Sequence, residues 1–222
     1  MKNAETHFDE IAREYDFWKN KNGYYYRNLI ALYRSLIPPQ SSVLEIGCGT
    51  GDIIVQLEPR EGKGIDLSHE MIVIARKKHA DQKHITFARE DIFDANTSYP
   101  AEVIFLADVL EHVHDVPRFL HQLSRRVSPR TRIIVSLANP LWEPVLMLAE
   151  KLHMKMPEGP HYRHPIYELE KLFAQAGLHI KEKGFRLLIP KMMPGSEWIN
   201  QRFYHHPFLA KFGFTVYWIL GR

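Results

Sequence analysis

Four carboxylates recur at or just past the ends of predicted strands in the first half of the chain: Glu45, Asp66, Asp91 and Asp108. A carboxylate offers two acceptor oxygens and no donor, so it can take both hydroxyls of a ribose or pair with an ammonium group. Glu45 lies in Val43-Leu44-Glu45-Ile46-Gly47-Cys48-Gly49-Thr50-Gly51-Asp52, where a mainly apolar run meets three glycines on alternate positions. An apolar run bounded by glycine reads as a buried strand. Glycine then lets the backbone turn tightly and lie against a ligand with no Cβ in the way. Ile53, Ile54, Val55 and Leu57 predict a short helix from about Gly51 that stops at Pro59.

The glycine spacing separates ligand classes. A dinucleotide fold uses G-x-G-x-x-G and sets a pyrophosphate on the helix N-terminus. Here the pattern is E-x-G-x-G-x-G, and Asp52 stands where the third dinucleotide glycine would be. Glu45 would repel a pyrophosphate and pair with an ammonium group. Both residues disfavour a nicotinamide oxidoreductase and suit a cationic, amino-acid-bearing nucleoside. Asp66, nineteen residues past Gly47, ends the predicted strand Lys63 to Ser68. A parallel sheet places a ribose-binding acid there. Ser68 should cap a helix through about His79, with Met71, Ile72 and Ala75 turned inward. The apolar run Ala101 to Ala107 predicts a strand buried on both faces and ends in Asp108-Val109-Leu110-Glu111-His112-Val113. Groups at that end face the ligand crevice. His112 is the one group of this run with an unperturbed pKa near neutrality, which makes it the candidate general base.

Taken in order, the E-x-G-x-G-x-G turn, Asp66, Asp91 and the Asp108 to His112 run resemble the class I S-adenosylmethionine-dependent methyltransferases, over about Phe8 to Arg222. The resemblance implies S-adenosylmethionine as cofactor, cradled by Gly47, Cys48, Gly49 and Gly51. It implies that Leu67 and Met71 border the adenine. Asp91 would accept from the adenine amino group and the Ile92 N–H would serve a ring nitrogen, with Glu90 as the competing acid. Asp108 would help hold the cofactor's amino group. Tyr15-Asp16 and the Lys21 to Tyr26 run look like lid motifs, which makes Tyr15 and Tyr25 candidates to reach the methionine end and Tyr25, with His112, a candidate catalytic residue. The implied reaction is methyl transfer to a small-molecule acceptor through an O, N, C or S nucleophile. Leu141-Trp142-Glu143-Pro144 and the front helices look like bacterial methyltransferases found beside glycosyltransferases, which hints at a sugar- or lipid-linked acceptor. The alternative is a catalytically silent nucleoside-binding protein.

The elements that must position these residues alternate strand and helix. That pattern predicts an α/β, Rossmann-like, doubly wound sheet. Seven strands are expected, mostly parallel, with the last, Phe214 to Leu220, antiparallel. Residues 1–40 are expected as a helical lid, 41–138 as a cofactor-binding core and 139–222 as substrate-side insertion and C-terminal strands of one domain. In the lid, Thr6 and Asp9 read as a capping box for the first helix. The 139–165 stretch should line the substrate crevice. Its histidines, His153, His161 and His164, lack a helical H-x-x-x-H spacing or a partnering cysteine, so no metal is predicted. The connection 189–213 is amphipathic and basic. It could cover a substrate, touch a membrane surface or form a dimer contact, and packing on the sheet is the plainer reading; a monomer or a homodimer is expected.

Composition adds limits. The chain has 222 residues, 45% of them hydrophobic, and a formal charge of +3. That is enough apolar material for a sizeable core and too little basic excess for a nucleic-acid partner, for which no module is evident. The single cysteine, Cys48, excludes an internal disulfide and fits a reducing compartment. Met1 to Glu5 has no apolar core of a signal peptide, and no stretch approaches the ~20 apolar residues of a spanning helix. A cytoplasmic location is expected.

Overall fold

The computed structural model describes residues 4–93, 100–157, 159, 161–203, 206 and 208–222. Two helices, α1 (Ala4–Lys21) and α2 (Gly23–Leu36), precede the first strand. Strands and helices then alternate: β1 (Ser42–Ile46), α3 (Asp52–Gln56), β2 (Glu61–Asp66), α4 (His69–Lys78), β3 (Ile85–Arg89), β4 (Val103–Ala107), α5 (Val116–Arg126) and β5 (Arg132–Ala138). After β5 come α6 (Glu143–Lys151), α7 (Ile166–Gln175), β6 (His179–Arg186), α8 (Ser196–Phe203) and β7 (Thr215–Gly221).

The seven strands form one sheet in the order β3-β2-β1-β4-β5-β7-β6. The pairs from β3 through β5 are parallel, and β7 runs antiparallel to both β5 and β6. This is the expected sheet. The order reverses between β1 and β4, and the crevice of an open α/β sheet opens at such a switch point.

Strand periodicity explains the two cores. Successive side chains point to opposite faces. Val103 and Phe105 of β4 therefore join Leu29, Leu32 and Tyr33 of α2, Ile53 and Ile54 of α3, and Ile72 and Ala75 of α4. Ile104 and Leu106 join Val116, Phe119, Leu120 and Leu123 of α5 and Leu169 and Phe173 of α7 on the other face. Each of the buried Val, Leu, Ile and Phe side chains among these contributes about 1.5–3 kcal/mol relative to exposure. The caps follow the sequence. Ser68 Oγ accepts from Met71 N, and Asp115 accepts from Arg118 N at the start of α5.

One expectation about the front of the chain needs correction. The pair Thr6 and Asp9 does not cap α1, because the helix already runs from Ala4. Asp9 instead turns outward to another helix: its Oδ1 accepts from Ser68 Oγ at 2.6 Å and from Glu70 N at 3.1 Å. A capping signal was present but served α4. α2 packs into the core, with Tyr33 fully buried, and both α1 and α2 lend side chains to the cavity described below.

Candidate active site

The glycine turn follows from backbone geometry. Gly47, Gly49 and Gly51 have φ of +73°, +52° and +81°, a region that L side chains seldom adopt. A Cβ at Gly47 would lie 2.6 Å from the Val109 side chain, and one at Gly49 would lie 3.2 Å from the Tyr15 ring. Both positions face a cavity of about 930 Å³ at the carboxyl ends of β1, β2 and β4. Gly51 is not among the lining residues; a Cβ there would meet Phe87 at 2.6 Å. It serves the back of the turn as the left-handed N-cap of α3.

The cavity brings together Tyr15, Tyr25, Glu45, Gly47, Cys48, Gly49, Asp66, Leu67, Met71, Asp91, Ile92, Asp108 and His112. Asp66 is held firmly. Its Oδ2 accepts from Gly49 N at 2.8 Å and its Oδ1 from Ser68 N at 2.9 Å. Each oxygen keeps a further lone pair, so the carboxylate is set to accept from two more donors. Asp91 Oδ1 accepts from Phe93 N at 2.8 Å, while Glu90 forms a 2.5 Å ion pair with Lys63. Glu45 is 1% exposed and its Oε2 accepts from Ile54 N at 3.2 Å. Burial pushes its carboxyl well above the ordinary range, against the pull of Lys19. A cationic ligand would reverse that push. Burial also pushes the Cys48 thiol up, which fits a packing residue rather than a nucleophile.

Asp108 closes the floor. It is a non-glycine residue with φ of +55° at the tip of β4, a strained conformation of the kind that clusters at functional sites. Tyr25 donates to its Oδ2, and Ser136 Oγ donates to its Oδ1 at 3.3 Å. Tyr33 reaches Ser136 Oγ at 2.9 Å and the Leu106 carbonyl at 2.8 Å. Burial raises the Asp108 carboxyl above its usual value, and the two hydroxyl donors oppose that rise. His112 lies beyond Asp108, its ring 5.1 Å edge-on from Phe8 and 5.9 Å from His161.

Sequence reasoning missed several residues that complete the site. Lys19 of α1 is 9% exposed and bonds Asp52 at 2.6 Å and Thr50 Oγ1 at 3.2 Å. Burial alone would raise the Asp52 carboxyl, but Lys19 and Lys78 outweigh it and hold it below its ordinary value. Lys78 also pairs with Asp16 at 2.6 Å. These contacts tie α1 to the glycine turn. The signal was available: Lys19 follows Tyr15 by four residues and shares its helix face. Glu111 lines the cavity beside His112, and its neutral neighbours gave no reason to prefer it. The insertion after β5 contributes Trp142, Val145, Leu146, Ala149, Met154 and Lys155 to the lining of the cavity. Among the described residues no cluster of His, Cys, Asp and Glu could hold a metal ion.

The arrangement fits a sulfonium nucleoside by its donor set. Acids line the cavity, the glycine turn admits close backbone approach, and aromatic rings Tyr15, Tyr25 and Tyr26 border it. Such rings attract a cation over their faces.

The chain is similar to known proteins. A family model described as a methyltransferase domain matches residues 17–183. A ubiquinone biosynthesis O-methyltransferase of Rhodopseudomonas palustris (strain BisB5) is 29% identical over 152 residues, covering 64% of this chain and 59% of that protein. The chain thus spans under two thirds of that relative's length. Two solved structures share the fold. One is a SAM-dependent methyltransferase from Thermotoga maritima, with TM-score 0.71, 19% identity and coverage of 98% of each chain. The other is the N-methyltransferase NodS from Bradyrhizobium japonicum WM9 in complex with S-adenosyl-L-homocysteine, with TM-score 0.67, 16% identity and coverage of 100% of this chain and 99% of that one. With the family match running over most of its length, the chain belongs to the methyltransferase-domain family.

Proposed function

We infer that this protein transfers a methyl group from S-adenosylmethionine to a hydroxyl of a small, largely apolar acceptor. The observation that carries the reading is the convergence of Glu45, Asp66, Asp91 and Asp108 with the glycine turn on one cavity. In this reading Asp66 takes the ribose hydroxyls, Leu67 and Met71 border the adenine, and Asp91 with the Ile92 N–H reads its edge. Glu45, Asp108 and Tyr15 surround the methionine end. When bound, the cofactor supplies a methyl group already activated by the sulfonium charge. The protein's own task is alignment and exclusion of water. Tyr25 and His112 flank the reacting centre, with Tyr25 fixed by Asp108 and His112 fixed edge-on against Phe8.

An apolar acceptor is supported by the wall of Trp142, Val145, Leu146, Ala149 and Met154. A hydroxyl is supported by the similarity to the ubiquinone biosynthesis O-methyltransferase. A lipid-linked acceptor is favoured over a sugar-linked one by the surface beside this wall. The connection 189–213 exposes Met192, Met193, Trp198, Phe208 and Phe212 near Lys191, Arg202 and Lys211. Trp142 Nε1 donates to the Phe212 carbonyl at 2.8 Å, which links that surface to the acceptor wall. Tyr204 and His205 of this segment lie outside the described residues. This surface is suited to anionic lipid. No described helix is long and apolar enough to cross a membrane.

The experiment is labelled-methyl transfer from S-adenosylmethionine to alkyl-chain phenols and catechols. Transfer supports the enzyme reading. Tight binding of S-adenosylhomocysteine with no transfer to any acceptor, lipid extracts included, supports the silent nucleoside-binding alternative.

A further inference from the structure

Glu111 sits in the single 3-10 turn Leu110–His112 that follows β4, one turn past Asp108. It lines the cavity. Its Oε2 is buried and has no hydrogen-bond partner among the described residues. Unpartnered buried carboxylate oxygens are expensive and call for an explanation. Its main chain is fixed from the acceptor side: the Glu111 carbonyl accepts from Tyr162 N at 2.6 Å. The neighbouring His112 ring is instead packed edge-on between Phe8 and His161.

We propose that Glu111 is the catalytic base of the reaction inferred above, receiving the proton of the acceptor hydroxyl, and that His112 is a wall of the acceptor site. In the transfer the acceptor's O–H bond and the sulfonium C–S bond break and an O–CH₃ bond forms. The C–S electron pair stays on sulfur, which leaves as a neutral thioether. The proton moves to the Glu111 carboxylate and then to solvent. Burial raises the Glu111 carboxyl well above the ordinary range and nearby Asp108 adds to that, while Lys155 pulls the other way. The titratable groups that interact with it are Asp108 at the tip of β4, Tyr25 and Tyr33 from α2, and Lys155 from the loop after α6, and His112 follows it in its own turn. A base with a raised pKa lies closer to the working pH and transfers protons more effectively.

The inference rests on the methyltransferase reading, so its test separates the two. Calorimetry with S-adenosylhomocysteine on wild type and Glu111→Gln checks that reading alone; equal affinity is expected. Labelled-methyl transfer to alkyl catechols then reads the base. Glu111→Gln should lose about 100-fold or more in kcat, and its residual rate should lose the acidic limb of the pH profile. His112→Gln should keep that limb. A titration of ¹³C-glutamate-labelled protein by NMR gives a readout without turnover. Besides that of Glu45, a carboxyl should titrate above the ordinary range, move on addition of an alkyl catechol, and be missing from Glu111→Gln. The proposal is overturned by a Glu111→Gln rate within about threefold of wild type, by an acidic limb that survives in it, by a Glu111 carboxyl that titrates in the ordinary range, or by the absence of transfer to any hydroxyl acceptor while S-adenosylhomocysteine still binds.

Discussion

The phenol of Tyr25, on α2, donates to Asp108 at the tip of β4. The two residues are 83 positions apart in sequence, and the bond joins a core helix to the strand end where the methyl group would be transferred. Burial pushes the Tyr25 phenol well above its ordinary pKa, so it remains a donor at any working pH. Tyr25→Phe should leave Asp108 with the weaker Ser136 contact. The expected cost is ~1–3 kcal/mol of stability for a buried acceptor that loses a donor, seen as a lowered urea midpoint with an unchanged slope. An unchanged midpoint would show that the bond adds nothing.

Glu45 gives a pH prediction with a definite sign. Its folded-state pKa is raised, chiefly by burial. Such a group adds stability that is fully present below its unfolded value and is lost as pH rises through the folded value. Glu45→Gln cannot ionise and escapes that loss. In ligand-free protein the variant should therefore gain on wild type as the pH rises from about 4 toward 8. Urea midpoints at the two ends of that range test it. A gap that stays constant would mean that Glu45 is not desolvated.

Asp9 reaches from α1 to the start of α4, close to Asp66. Asp9→Ala removes the acceptor for Ser68 Oγ and Glu70 N and should cost about 1 kcal/mol, as for a lost cap. Hydrogen exchange in α1 should quicken more than in α2, because α1 buries few residues while α2 is part of the core. Equal exchange in the two helices would contradict a looser attachment of α1 than of α2.

Lys19→Met should release Asp52 and Thr50 from α1. The Asp52 carboxyl would rise toward its ordinary value, since Lys19 is the leading influence that holds it down. Binding of S-adenosylhomocysteine should weaken several-fold, about 1 kcal/mol for one partly buried ion pair. The same affinity in variant and wild type would place Lys19 outside the cofactor's reach.

The core of the fold was legible because its signals are local. The apolar run before Gly47, the cap at Ser68 and the run ending at Ala107 each carry their own periodicity or punctuation. Asp66 and Asp108 were legible for the same reason: a strand end tells where its last side chain faces. Contacts between distant segments left no such mark. Asp9 carried a capping signal, but nothing in the chain says that the helix it caps begins 60 residues on, at His69. Lys19 is an ordinary charge on an ordinary helix until the glycine turn is folded beneath it. Glu111 adjoins His112, and the burial of its unpartnered carboxylate oxygen is a tertiary fact that adjacency in the chain does not reveal. Gly51 shows what spacing leaves out: a Cβ there would meet Phe87 at 2.6 Å, so a glycine is required behind the turn as well.

The most direct test is a calorimetric titration of the ligand-free protein with S-adenosylhomocysteine, repeated on Asp66→Ala and with NAD as competitor. Two hydroxyls donating to one carboxylate are worth about 1.5–3 kcal/mol each, so the variant should bind about 100-fold or more weakly. Wild type should bind one equivalent, and NAD should not displace it. Equal affinity in wild type and Asp66→Ala, or displacement by NAD, would contradict the account.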